Sequence, residues 1–253
     1  MLGLTVADRV ATLTMANPPV NAMSDAWVVA FHRHLDALDA RDDWSVLHIR
    51  SALKIFCAGA ELKEMRTRFN APDGLEEQLT VIRGYQRLYA RIEALSRVTF
   101  SEIGGAALGG GFELALACDL RIAAHEAKIG LPELRLGLLP GAGGTQRMTR
   151  LCGRPTALRL ILGAEAVGGE EAERLGLVQW SEPLEKLPAV AADIARRYAA
   201  LPAHAAAAAK ACIAAAATPG DGGYEEEMRQ TRGLLGTAAT RALVGAFLDR
   251  TNR

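Results

Sequence analysis

The chain has no excess of charge of either sign: Lys and Arg number 29, and Asp and Glu number 29, over 253 residues. Affinity for a phosphate backbone comes mostly from Lys and Arg, so the chain is a poor candidate for a general nucleic-acid binder and leaves room only for a local basic patch. Cysteine is sparse too. The four, at 57, 118, 152 and 212, include no C-x-x-C pair, which argues against a zinc site or a thioredoxin-like motif. Cys57, Cys118 and Cys212 lie in apolar or Ala-rich runs, where thiols serve as small hydrophobes, and the set suits a reducing compartment such as the cytoplasm. The first residues, MLGLTVADRV, hold neither the basic region nor the long apolar region of a secretory signal. Long uninterrupted apolar runs are missing as well. The Ala-rich stretch 189–218 is broken by Asp193, Arg196, Arg197, Pro202, His204 and Lys210, and reads as a soluble helical pair rather than a membrane span. Also absent are a correctly spaced G-x-G-x-x-G, the P-loop G-x-x-x-x-G-K-[ST] and the nucleophile elbow G-x-S-x-G. His32 and His34 point to different faces of a helix, and the five histidines suggest no triad.

What is present is core-forming material: half the residues are apolar and 23% are charged, enough for one large domain, or one domain with a helical appendage. Residues 2–6 and 10–15 read as a hairpin, followed by a helix over 25–40 capped by Ser24, with Trp27, Phe31, Leu35 and Leu38 on one face. Strands are predicted over 45–50, 98–103 and 119–124, and helices from near Glu61, over 74–95 and over 112–118. This alternation argues for an α/β chain with parallel pairing. Beyond about residue 144 the pattern turns helical, with candidates at 145–151, 155–162, 169–175, 187–200, 203–217, 223–236 and 238–250.

Two features carry chemistry. The loop Gly104–Gly111 joins a strand to a helix, so its backbone can approach a ligand and its N–H groups can meet an anion or a developing oxyanion. Alone, it is equally a tight turn that packs a helix on a sheet. The second feature is a pair of carboxylates in apolar surroundings. Glu113 stands in the first turn of F-E-L-A-L-A-C, and Glu133 in G-L-P-E-L-R-L-G. They would suit paired acid/base work, or Glu113 favours the helix dipole and Glu133 pairs with Arg135.

A-L-G-G-G-F-E-L-A-L-A-C-D-L-R-I-A-A, then K-I-G-L-P-E-L-R-L-G-L-L-P-G-A-G-G-T-Q-R-M-T-R, with I-F-C-A-G-A-E-L-K-E-M at 55–65 and N-P-P-V-N-A-M-S at 17–24, resembles the enoyl-CoA hydratase/isomerase (crotonase) superfamily along nearly the whole chain. The resemblance implies an α/β fold built as a crotonase-like spiral of ββα turns over 1–195, with a C-terminal helical region at 196–253 that trimerises. It implies an acyl-CoA thioester substrate, no metal or redox cofactor, a homotrimer or dimer of trimers, and a place in fatty-acid β-oxidation. It assigns an oxyanion hole to the N–H groups of Ala58 and Gly110, catalysis to Glu113 and Glu133, and thioester contacts to Ala58, Gly59, Ala60, Glu61, Leu62, Gly109 and Gly110. It also offers Lys54 and Arg250 as partners for CoA phosphates. The implied reaction is reversible hydration of a trans-2-enoyl-CoA, with Glu113 activating water and Glu133 protonating C2; the alternative within the family is an enoyl-CoA isomerase, or a hydratase of a branched or dicarboxylic enoyl-CoA. One departure stands out. V-T-F-S-E-I-G-G places Glu102 where the family carries a small apolar residue, so Glu102 is expected to pair with an arginine or to line the pocket wall, where it would favour a polar acyl group.

Overall fold

Hydrophobic alternation sets the first elements. Strands β1 (Leu2–Ala7) and β2 (Val10–Met15) form the expected antiparallel hairpin, and β2 buries Ala11, Leu13 and Met15 on one face. The computed structural model describes residues 1–216, 220 and 222–251. Ser24 caps helix α1 (Asp25–Asp39) by accepting the Trp27 N–H at 3.2 Å, and the four apolar residues expected on one face are buried there.

The chain then repeats one pattern: a strand enters a large sheet, a short strand or bridge enters a small one, and a helix returns. Strand β3 (Val46–Ser51) is followed by a bridge from Cys57 to Ala107 and by helices α2 (Leu62–Phe69) and α3 (Gly74–Glu93). The next turn is β4 (Val98–Ile103), β5 (Ala107–Leu108) and α4 (Gly110–Leu116). After it come β6 (Leu120–Ala124), β7 (Ile129–Gly130), a 3₁₀ turn at Glu133–Leu136 and α5 (Gly144–Leu162). Strand β8 (Ala166–Val167), α6 (Gly169–Arg174), β9 (Trp180–Glu182) and α7 (Leu187–Ala199) complete this part. The large sheet runs β1-β2-β3-β4-β6-β9, parallel from β2 onward, and the small one runs β5-β7-β8. The sequence does not announce β5, β7 and β8, because two residues carry no period, and β8 and β9 interrupt a stretch expected to be helical. Helix α5 breaks at Gly153 (φ 76°), between the two helices expected there.

The two faces of the large sheet differ in what they serve. Arg121 is buried and donates to the carbonyls of Ala115 and Cys118 at 3.3 and 2.6 Å, which seats the α4 segment on its face. Its Nε donates to Leu177 O at 2.7 Å, so carbonyls satisfy the guanidinium. Arg121 pairs in register with Ser101, so Ser101 shares that face and Glu102 points to the other. The expectation for Glu102 is therefore corrected on both counts. Its partner is a histidine, with His48 Nε2 2.9 Å from Glu102 Oε2, both side chains 6% exposed, and the pair lies on the sheet face away from α4. The two atoms are close but out of line for a hydrogen bond.

Residues Met1–Ala199 form one compact unit and Ala200–Arg253 a second. The boundary expected after residue 195 falls within α7, where Ala195 and Ala199 are buried. The second unit holds α8 (Ala203–Ala215), α9 (Gly222–Leu235) and α10 (Ala238–Thr251), with α8 packed on α9. The last residue of the helix expected over 203–217 lies outside the described residues. No described helix is long and apolar enough to cross a membrane.

Candidate active site

The site is assembled from four stretches of the first unit. The first is the turn at 17–24. Asn21 is buried at a positive φ of 53°, and its Nδ2 donates to Ser51 Oγ, Ile55 O and Phe56 O at 2.8, 3.3 and 2.9 Å, tying this turn to the segment after β3. The second stretch, Cys57–Glu61, lies between that turn and β5. Cys57 O accepts the Leu108 N–H at 3.0 Å, Met23 N–H donates to Gly59 O at 2.9 Å, and Glu61 N–H donates to Met23 O at 3.0 Å.

These bonds correct one assignment. The Ala58 N–H donates to Val20 O at 3.0 Å, so it is already engaged and is not a vacant donor for a ligand. Ala60 is the residue bridged to Met23, whose N–H and C=O bond to positions 59 and 61 on either side of it. In a parallel bridge the bracketed residue turns its own N–H away from the partner strand. Among the described residues, the Ala60 N–H has no acceptor.

The third stretch is the glycine loop. Gly109 adopts φ 53°, a conformation that favours glycine, and a Cβ there would come within 3.1 Å of Glu133 Oε1. The Gly110 N–H opens α4 without an acceptor among the described residues. A Cβ on Gly59 would lie 3.3 Å from Gly110 N, so the Ala60 and Gly110 segments abut.

The fourth stretch carries the loop that receives Glu113. One turn into α4, Glu113 is 3% exposed, and its Oε1 accepts the N–H groups of Ala142 and Gly144 at 2.8 and 2.7 Å. Burial pushes its carboxyl up to about 7, the Glu133 charge adds to the rise, and the two amides and Arg147 pull back. Glu133 sits at the head of the 3₁₀ turn, pushed up by burial, and its Oε2 is buried with no partner. No ion pair joins it to Arg135. The two carboxylates expected to cooperate therefore share one site beside the glycine loop, where the charge of Glu133 raises Glu113.

The other expected contacts divide. Glu61 caps α2, its Oε1 accepting the Lys63 N–H at 3.0 Å, and Leu62 is largely exposed on the first turn. Lys54 is exposed, just ahead of the 57–61 segment. Arg250 belongs to the second unit, exposed, with its Nε on Ala246 O at 3.2 Å.

Sequence reasoning missed the supports. Arg147 Nη1 donates to Ala142 O at 2.9 Å, and its Nε and Nη2 reach Glu93 Oε2 at 3.1 and 2.8 Å. Tyr85 and Tyr89 reach the backbone of Met23 and Gly110. The readable signal was an arginine one turn past a glycine-rich loop, and two tyrosines at i, i+4 spacing in a chain with 5% aromatics.

The sequence matches the enoyl-CoA hydratase/isomerase family over residues 5–250, and the chain belongs to that family. It is 41% identical to a probable enoyl-CoA hydratase of Bacillus subtilis over 78% of this chain and 76% of the relative. It is 37% identical to the 2,3-dehydroadipyl-CoA hydratase of Escherichia coli over 67% of this chain and 64% of that one. The crystal structure of an enoyl-CoA hydratase from Bacillus anthracis superposes with a TM-score of 0.92 at 30% identity, covering 98% of this chain and 96% of the other. The fold is the crotonase fold, with a helical C-terminal region.

Proposed function

We propose that this protein is an enoyl-CoA hydratase that adds water reversibly, syn, to a trans-2-enoyl-CoA and yields a 3-hydroxyacyl-CoA. The observation that carries this reading is the shared site of Glu113 and Glu133 beside two backbone N–H groups with no acceptor of their own. The thioester oxygen would sit between the Gly110 and Ala60 N–H groups, which stabilise the enolate-like charge that develops on it. One such donor is worth roughly 3 kcal/mol in other enzymes.

The environments of the carboxylates divide their labour. Glu113 accepts two amide N–H bonds that offset part of the burial raising it, and with its carboxyl at about 7 it suits the base that takes a proton from water as the oxygen adds to C3. Glu133 has a buried oxygen without a partner, which favours the protonated form, and suits the acid that delivers a proton to C2. One proton passes from water to Glu113 and one from Glu133 to carbon, the pair is reset by proton exchange with solvent, and no atom changes its oxidation state through an external redox group. Arg250 and Lys54 remain proposals for CoA phosphate contacts, a homotrimer or dimer of trimers through the second unit remains one for assembly, and the cytoplasm for location.

A dicarboxylic enoyl-CoA is the second reading, favoured by the likeness to the dehydroadipyl-CoA hydratase. Glu102 gives it no support, because it faces away from α4. A panel of CoA thioesters with product identification separates the two. In the main test, Glu113→Gln and Glu133→Gln each lower crotonyl-CoA hydration by at least roughly a hundredfold. Turnover retained in both variants would end the assignment.

A further inference from the structure

Both donor segments are held from behind by one helix. On α3, Tyr85 and Tyr89 stand one turn apart with stacked rings 6.5 Å between centroids, and both are buried. The Tyr85 hydroxyl donates to Met23 O at 2.7 Å. That same carbonyl accepts the Glu61 N–H, and Met23 N–H holds Gly59 O, so Met23 brackets Ala60 from both sides. The Tyr89 hydroxyl donates to Gly110 O at 2.8 Å. It also lies 3.1 Å from Met23 Sδ, but its single proton goes to the stronger acceptor, the carbonyl. The Met23 methyl fills the space under the glycine loop: a Cβ on Gly110 would sit 2.6 Å from Met23 Cε.

Resting on the reading of the Ala60 and Gly110 amides as the thioester cradle, we propose that Tyr85 and Tyr89 are positioning residues for it, each hydroxyl pegging the segment that bears one of the two N–H donors. Neither phenol is placed to touch substrate. Each acts through a backbone group: Tyr89 through Gly110 itself, Tyr85 through Met23 and its bonds on either side of Ala60. Burial pushes both phenols well up, so each keeps the proton it donates. A cradle of main-chain amides stabilises charge only to the extent that its donors are fixed before the charge appears. A segment free to shift by a fraction of an ångström loses that advantage while still binding the ground state. The hydroxyls supply this restraint, and ring packing alone does not.

The test removes each hydroxyl and keeps the ring. Tyr85→Phe and Tyr89→Phe are compared with the wild type and with Tyr198→Phe, whose ring lies beside Arg197 on α7. The first readout is steady-state hydration of crotonyl-CoA. The second is the absorption of a bound conjugated dienoyl-CoA, which moves to longer wavelength as its carbonyl is polarised. Each peg variant is expected to lose about tenfold in kcat with KM within about twofold, and to show a smaller red shift, all measured well below a melting temperature lowered by a few degrees. Tyr198→Phe should match the wild type in all of these. A full red shift and wild-type kcat in both peg variants would overturn the proposal. If the wild type shifts the dienoyl spectrum yet hydrates no enoyl-CoA, the hydratase reading fails, and the spectral shift alone then decides the tyrosines.

Discussion

Glu113 is ionised at a cost. Its carboxyl titrates near 7 because burial opposes the charge, while its ordinary value is 4.5. Between these values the folded chain holds the proton that the unfolded chain has released. Its contribution to stability therefore falls as pH rises through that window. Glu113→Gln, which keeps an oxygen for the Ala142 and Gly144 amides, should melt several degrees higher than the wild type at about pH 8, and level with it below about pH 4.5, in calorimetric scans. Catalysis runs the opposite way. With Glu113 as the base, kcat/KM should rise with pH through about 7. Arg147 helps hold that carboxyl down, so Arg147→Gln should move the acidic limb of the profile to higher pH, read from kcat/KM across the pH range. An unmoved limb would separate Arg147 from the titration of Glu113. The identities of the two carboxylates were legible from their apolar settings. Which N–H groups flank them was not, because Ala58 and Ala60 differ only in what the distant residues Val20 and Met23 do.

Among the elements, the long periodic ones were legible and the short ones were not. α1 shows four apolar residues at helical spacing and a serine cap, and it forms as expected. The small sheet is built of two-residue strands whose pairing partners lie 22 residues away for β5 and β7, and 36 and 38 for β7 and β8, and no local pattern encodes them. The same limit hid the partner of Glu102. A carboxylate in a central strand announces the need for a counter-group, but His48 lies on the neighbouring strand, 54 residues back in the chain. Its role belongs to the sheet. Replacing Glu102 by Ala removes the carboxylate facing His48 and leaves a void in a buried sheet face, a change of about 0.5–3 kcal/mol. Glu102→Ala should accordingly lower the melting temperature by several degrees and leave kcat for crotonyl-CoA unchanged, measured below the melting range. A kcat that falls while the melting temperature holds would return Glu102 to the site.

At the scale of the molecule, both compact units expose apolar side chains. The first buries a large apolar core about the sheets and leaves Phe69, Leu75, Leu136, Leu139 and Leu162 more than half exposed. The second leaves Ile213, Met228, Leu235, Leu243 and Val244 each at least half exposed. Apolar exposure on this scale marks an association surface. The trimer proposed above predicts that Leu243→Asp with Val244→Asp shifts the species seen by light scattering toward the monomer, and an unchanged mass would remove this face from the assembly. The composition made the helical C-terminus legible, whereas the boundary at 199 depends on how α7 is buried. The cradle has a consequence of another kind. Its parts come from residues 20–23, 57–61, 109–113 and 142–144, so no early fragment of the fold contains it. Recovery of hydration during refolding should therefore trail every other signal, which makes turnover a reporter of the last step of folding.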